Sequence, residues 1–178
     1  AQDSIGICVP GLCRHYYDNN FWPKKIEHTN DEMTLRFLEE HLVMIPIEPR
    51  KPGCSVVEGK DITPTKVKAL ADAADACWQA IMKRDLAAFA ASYKASFEAQ
   101  VAMFPGMIKP TYFPANSQEL NANSYIAEAI TRYSNIPDVL AWKMPGAGGG
   151  GYLALVVTDA KTFIAQHPEA FELHIRRE

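Results

Sequence analysis

The amino-acid sequence predicts an α+β fold in which helices cover one face of a sheet. Two long central segments carry apolar residues at every third or fourth position, the period of a helix that is buried along one side. The last third instead holds short apolar runs on either side of a glycine run, then a helical segment and a further strand. A chain of 178 residues with 48% hydrophobic residues can bury a core, so residues 1–178 are expected to form a single domain.

The composition excludes several classes of function. The formal charge is −3 and basic residues occur at most in pairs, whereas nucleic-acid surfaces need clustered cations. No apolar run approaches the ~20 residues that are needed to cross a bilayer. The four cysteines form no C-x-x-C pair, and no histidines are spaced to complete a zinc site. We therefore predict a cytoplasmic protein without a metal site, a nucleic-acid partner or a membrane anchor.

The first fifty residues predict two strands and a helix. Residues 5–13, IGICVPGLC, are apolar but are interrupted by Pro10 and Gly11, which predicts a strand that ends or bulges there. The aromatic and polar stretch HYYDNNFWPKK predicts a loop. Asn30 and the acidic residues after it predict the start of a helix, and residues 43–47, VMIPI, predict the second strand.

Two long helices have recognisable ends. Thr63 and Pro64 combine an N-cap with a first-turn proline, and the apolar stripe that follows them continues to Lys83. Asp85 caps a second stripe, which Pro105 and the glycine after it close. Because the two helices follow each other directly, we expect an antiparallel pair.

The remaining third predicts shorter elements of both kinds. Two strands flank the glycine run, and a helix precedes the first of them. A helix and a closing strand complete the chain. The predicted order is helix 123–133, strands 139–144 and 152–157, helix 159–166 and strand 171–176.

The glycine run is the most unusual feature of the sequence. In MPGAGGGGYLALVV, residues 144–157, five glycines and one alanine occupy six consecutive positions. Glycine loses more backbone entropy on folding than any other residue, so the run requires a physical reason. A hairpin turn needs only one or two glycines, whereas a cradle of bare backbone N–H groups around an anion or substrate needs more. The excess favours the cradle, with a flexible hairpin loop as the alternative.

The wider string KMPGAGGGGYLALVV resembles the third motif of the GHMP kinases, the family of galactokinase, homoserine kinase, mevalonate kinase and phosphomevalonate kinase. That motif has a lysine, a Ser or Thr two residues later, then GAGGGG and an apolar strand. Lys143 and residues 146–151 match it, but Pro145 stands where the family has the hydroxyl residue. The element order is similar to the family's C-terminal domain, a ferredoxin-like sheet layered with helices that include a long antiparallel pair.

The resemblance implies candidate site residues. The segment AQDSIGI resembles the segment that carries the catalytic aspartate in the sugar-kinase branch of the family, which includes heptose kinases and fucokinases. The resemblance implies that Asp3 is the catalytic carboxylate. EPRKPGCSVVEG resembles a segment of the same branch and implies substrate or phosphate contacts for Arg50 and Ser55. The phosphate or substrate loop that the resemblance implies, with its centre at the third and fourth positions, is Gly146, Ala147, Gly148, Gly149, Gly150 and Gly151.

The function that the resemblance implies is phosphoryl transfer from ATP, with Mg, to a hydroxyl of a sugar. The family binds ATP through a serine-rich loop in an N-terminal domain, and no segment of this chain resembles that loop. The chain is therefore expected to be the C-terminal, substrate-side part of a kinase and to be inactive alone. The alternative is a non-catalytic ferredoxin-like module for ligand binding or dimerisation, and a homo-oligomer is compatible with both readings.

Overall fold

The computed structural model describes residues 2–112 and 125–178, with the backbone alone at residues 2–4 and 112. The predicted mixture of helices and antiparallel strands is confirmed. The helices are α1 (Gln2–Cys8), α2 (Glu32–His41), α3 (Pro64–Lys83), α4 (Leu86–Met103), α5 (Tyr125–Ser134) and α6 (Ala160–Gln166), with a 3₁₀ turn at Pro105–Met107. The strands are β1 (Leu12–Tyr16), β2 (Lys25–Thr29), β3 (Leu42–Pro46), β4 (Cys54–Ser55), β5 (Thr111–Tyr112), β6 (Val139–Lys143), β7 (Tyr152–Val157) and β8 (Phe171–Glu172).

The main sheet has four strands in the order β6-β7-β3-β8, and each neighbouring pair is antiparallel. Along the chain, β3 leads through helices to the β6–β7 hairpin, and α6 then leads to β8. This is the β-α-β-β-α-β connectivity of ferredoxin-like folds, so the predicted fold class is confirmed. The pairs β1–β2 and β4–β5 form two small additional sheets.

The long helices α3 and α4 begin and end where their caps predict. The Thr63 hydroxyl accepts a hydrogen bond from the backbone N–H of Lys66 at 3.3 Å, and the Asp85 carboxylate accepts one from Ala88 at 3.0 Å. Arg84 joins the helices in a left-handed conformation, with φ of 56°. The two helices pack along each other, as the pair of apolar stripes predicted.

The central strand β7 is buried on both faces. Leu155 belongs to a hydrophobic cluster with α5 and α6, whereas Val156 belongs to a second cluster with α2, α3 and α4. Successive strand residues point to opposite faces, so helices cover both faces of the sheet at β7. The sequence had led us to expect helices on one face. The continuous apolar run YLALVV fits a strand without a solvent face.

The N-terminal prediction was wrong. Residues 5–13 do not form one strand, because residues up to Cys8 lie in α1 and β1 begins only at Leu12. A short apolar run carries too few residues to distinguish the helical from the extended period. The predicted loop is also shorter, because its first residues complete β1 and its last lysine begins β2.

Three further boundaries differ from the prediction. Asp31, not Asn30, caps α2, because its carboxylate accepts the N–H of Thr34 at 2.9 Å. The closing strand β8 pairs only at Phe171 and Glu172. Residues 123 and 124 of the predicted helix 123–133 lie outside the described residues, and α5 begins at Tyr125. Among the helices that the structure describes, none is both long enough and apolar enough to span a membrane.

Candidate functional site

The glycine loop, residues 144–151, connects β6 to β7 at one end of the main sheet. Its first residue, Met144, is completely buried in the core, and Tyr152 after it opens β7. The loop is therefore fixed at both ends by paired strands. Between these ends, the loop contacts other parts of the chain.

Backbone hydrogen bonds attach the second half of the loop to two neighbouring segments. The N–H of Gly149 donates to the carbonyl of Met107 at 3.0 Å. The N–H of Gly151 donates to the carbonyl of Glu48 at 2.9 Å, and its carbonyl accepts the N–H of Ile47 at 2.9 Å. The N–H groups of Gly149 and Gly151 are thus occupied by protein acceptors.

Two side chains bind the carbonyls of the same half. Arg50 donates from Nε to the carbonyl of Gly148 at 2.7 Å. Tyr125, at the start of α5, donates from its hydroxyl to the carbonyl of Gly149 at 3.0 Å. A guanidinium donor makes the first of these bonds charge-assisted, so Arg50 holds the loop conformation directly.

Steric limits explain three of the glycines. A Cβ on Gly148 would lie 2.9 Å from the Cβ of Met107, and one on Gly149 would clash with a methyl group of Val56. A Cβ on Gly150 would lie 2.8 Å from the carbonyl oxygen of Glu48 and from the backbone nitrogen of Arg50. Residues 148–150 are therefore glycines because protein backbone and side chains approach them closely.

The outer corner of the loop, residues 145–147, is exposed. Gly146 has a φ of 64°, but a Cβ there would meet nothing within 4 Å. Gly146 and Ala147 border a cavity of about 170 Å³ whose other walls come from the 3₁₀ turn, the end of α4 and the segment after β4. The Oε1 atom of Gln100 in this cavity wall is buried and has no hydrogen-bond partner in the described part of the chain.

The predicted residues occupy different places relative to the loop. Arg50 contacts it directly. Ser55 lies in β4, where it pairs with Thr111, and its neighbour Cys54 is adjacent to Gly149. Asp3 lies in α1, and its side chain is outside the described residues. The structure therefore brings the 50–55 segment to the glycine loop through Arg50 and Cys54.

Sequence reasoning missed Met107, Tyr125 and Gln100. Each reaches the loop or its cavity from a helix or turn that is distant in the chain, and no local pattern marks such a contact. Only the density of glycine hinted that other segments approach the loop closely.

Residues 148–151 form the inner half of the loop. The side chains beside them are suited to holding the loop in position and not to covalent chemistry. Burial raises the pKa of the Cys54 thiol, an effect that the nearby Arg50 charge opposes, so the thiol stays protonated at neutral pH and is a poor nucleophile. Lys51 pairs with Glu48 at 3.1 Å and lies 5.3 Å from the centre of the Tyr125 ring. Among the described side chains, no set of three His, Cys, Asp or Glu residues could hold a metal ion.

Comparisons with known proteins bear on the fold. No model of a protein family matches the sequence, and no curated protein matches it significantly. A solved structure of MDDEF in complex with MVAPP is similar over 91% of this chain, with a TM-score of 0.50 and 14% sequence identity. The chain spans 55% of the length of that protein. At this sequence identity, the structural similarity shows a similar fold and nothing more.

Proposed function

We propose that the chain forms the C-terminal, substrate-side part of an ATP-dependent kinase of the GHMP type that phosphorylates a sugar hydroxyl. The observation that carries the proposal is the GAGGGG string at residues 146–151, which joins two paired strands of a ferredoxin-like sheet. The fold likeness to a protein whose structure holds MVAPP is consistent with a small-molecule ligand.

The division of the loop suits phosphoryl transfer, which depends mainly on positioning and on stabilisation of charge. The inner half is anchored by Arg50 and Tyr125, so the exposed corner at Gly146 and Ala147 has a fixed position. Small residues at that corner let a ligand approach the backbone closely. In this proposal the corner is the part of the loop that meets substrate or phosphate.

Asp3 supplies the general base in the proposal. A carboxylate near the attacking hydroxyl orients it and accepts its proton while the phosphoryl group moves to oxygen. When bound, ATP supplies that phosphoryl group. Arg50 then acts through the loop, because its Nε already donates to the Gly148 carbonyl.

The test is ADP release by the polypeptide translated from the complete reading frame that encodes these residues, with Mg-ATP and a panel of free sugars. We expect turnover with one sugar and a fall of about 10²-fold or more for Asp3→Asn, the usual contribution of a positioned acid or base. Asp18→Asn is the matched control, because Asp18 is exposed in the β1–β2 turn, where its carboxylate accepts a hydrogen bond from the Asn20 amide at 2.8 Å.

The outcomes separate the alternatives. Turnover that survives Asp3→Asn would leave the kinase in place and overturn the assignment of Asp3. Absence of ADP release with every sugar would overturn the sugar-kinase proposal and favour the non-catalytic module.

A further inference from the structure

A second cavity, of about 250 Å³, lies beside the hydrophobic cluster that contains Ile81 and Val156. Its walls come from β1, from α3 and α4, and from Lys143 at the end of β6. Most of this wall is apolar and includes Trp78 and Ile81. The volume is slightly below the roughly 300–1,000 Å³ of pockets for drug-sized ligands, so it suits a small molecule.

Lys143 brings a charge into this apolar cavity. Its Nζ donates to the Ser96 hydroxyl at 2.9 Å and lies 5.8 Å from the centre of the Tyr93 ring. The Ser96 hydroxyl in turn donates to the Tyr93 carbonyl at 2.8 Å, so it meets the ammonium as an acceptor. An ammonium carries three N–H donors, and Ser96 is the one hydrogen-bond acceptor that the described residues provide.

No carboxylate in the described part of the chain forms an ion pair with Lys143. Burial lowers the pKa of Lys143, as expected for an ammonium that lacks a counter-ion. The thiols of Cys13 and Cys77 also line the cavity, and burial raises the pKa of both. A neutral thiol offers no negative charge, so neither cysteine is a counter-ion for the Lys143 ammonium.

Arg14 contributes less to the positive charge of the cavity than its position suggests. Its guanidinium pairs with the carboxylate of Asp75 and lies 4.4 Å from the centre of the Tyr16 ring. One free cation among apolar walls suits an anion of single charge. A phosphate dianion would bring a second negative charge, and the only other cation among the described lining residues, Arg14, is already paired with Asp75.

We propose that this cavity binds a small monocarboxylate with an apolar body, whose oxygens accept hydrogen bonds from the Lys143 ammonium. The body would lie against the apolar surfaces of α3, beside Trp78. The site does not rest on the proposed kinase activity, because its cavity and the cavity at the exposed corner of the glycine loop share no lining residue.

The experiment compares hexanoate with its neutral counterpart hexanamide by calorimetric titration of the whole chain. The two molecules have the same apolar body, so a preference reports on the charge. We expect hexanoate to bind at least about tenfold more tightly, because a hydrogen bond to a charged group is stronger than one between neutral groups. Bound hexanoate should also slow alkylation of Cys77 and leave alkylation of the exposed Cys8 unchanged.

Lys143→Met removes the charge and keeps a side chain of similar length. We expect this variant to bind hexanoate no more tightly than hexanamide. Lys94→Met is the matched control, because Lys94 also lies over an aromatic ring, 4.7 Å from the centre of Trp142, but does not line the cavity. It should keep the full preference.

Three results would overturn the proposal: equal affinity for the two probes in the wild type, a preference that persists in Lys143→Met, or no saturable binding of hexanoate. The wild-type comparison requires no substitution, so a folding defect in a variant cannot obscure the answer.

Discussion

The inner and outer halves of the glycine loop need glycine for different reasons. Gly148 and Gly150 have positive φ values and also lie against neighbouring backbone, which leaves no room for a Cβ. Gly146 has a positive φ and open space around it. Residues 148–150 of the inner half therefore pack tightly against neighbouring segments, and we call them the wedge. The outer half is the exposed corner, residues 145–147, which the wedge holds in place.

This difference accounts for a run of glycine longer than a hairpin requires. One glycine at the corner provides the turn, and the additional glycines let β6 and β7 be joined against the 3₁₀ turn and the segment after β3. A glycine-rich motif therefore does not mark every one of its residues as a ligand contact. Gly148 and Gly149 are buried, and their role toward a ligand stays a prediction.

Gly150→Ala should have the largest effect on stability. The φ of 136° is a conformation that L-residues rarely adopt, and the added Cβ would lie 2.8 Å from two backbone atoms that cannot rotate away. Strain and overpacking together are expected to lower the free energy of unfolding by about 3 to 5 kcal/mol. Urea denaturation followed by circular dichroism measures the change.

Gly151→Ala is the control for Gly150→Ala. Gly151 has a φ of 97° but nothing within 4 Å of its Cβ position, so this substitution retains the strain without the clash. If both variants lose the same stability, backbone conformation alone explains the inner glycines and the wedge interpretation is wrong.

A closer comparison uses Gly148→Ala and Gly146→Ala, whose φ values of 70° and 64° are nearly equal. A left-handed backbone should cost both variants about 1 to 2 kcal/mol. Gly148→Ala should lose a further ~1 to 3 kcal/mol, because its Cβ meets both the Cβ and the main chain of Met107. Thermal and chemical denaturation of the two proteins, side by side, isolate the packing part. Equal losses would contradict the distinction between the two halves.

The sequence predicted the parts of the fold that depend on local rules. The caps Thr63 and Asp85 and the helical period between them fix α3 and α4, so their ends were predicted correctly. Residues 5–8 were assigned wrongly because a short apolar run fits either period.

The candidate site was less predictable because its contacts cross large distances in the chain. Arg50 was predicted to reach substrate or phosphate, and the structure shows that its Nε donates to the Gly148 carbonyl. Tyr125 carries no local signal of its bond to Gly149, 24 residues away. The glycine run is therefore visible in the sequence, but the distant contacts that divide it into wedge and corner are not.

The smallest expected effect concerns the side-chain support of the wedge. Arg50→Met removes the charge-assisted bond to the Gly148 carbonyl and should lower the free energy of unfolding by about 1 kcal/mol. Lys68→Met, the control on α3, removes an exposed pair with Asp72 away from the glycine loop and should change the free energy of unfolding by less than ~0.5 kcal/mol. Hydrogen exchange at the Gly149 amide gives a local readout, because that N–H donates to Met107 only while the wedge is closed. Faster exchange in Arg50→Met than in Lys68→Met would show that the guanidinium holds the wedge, whereas equal rates would assign that task to the glycine packing and the Tyr125 hydroxyl.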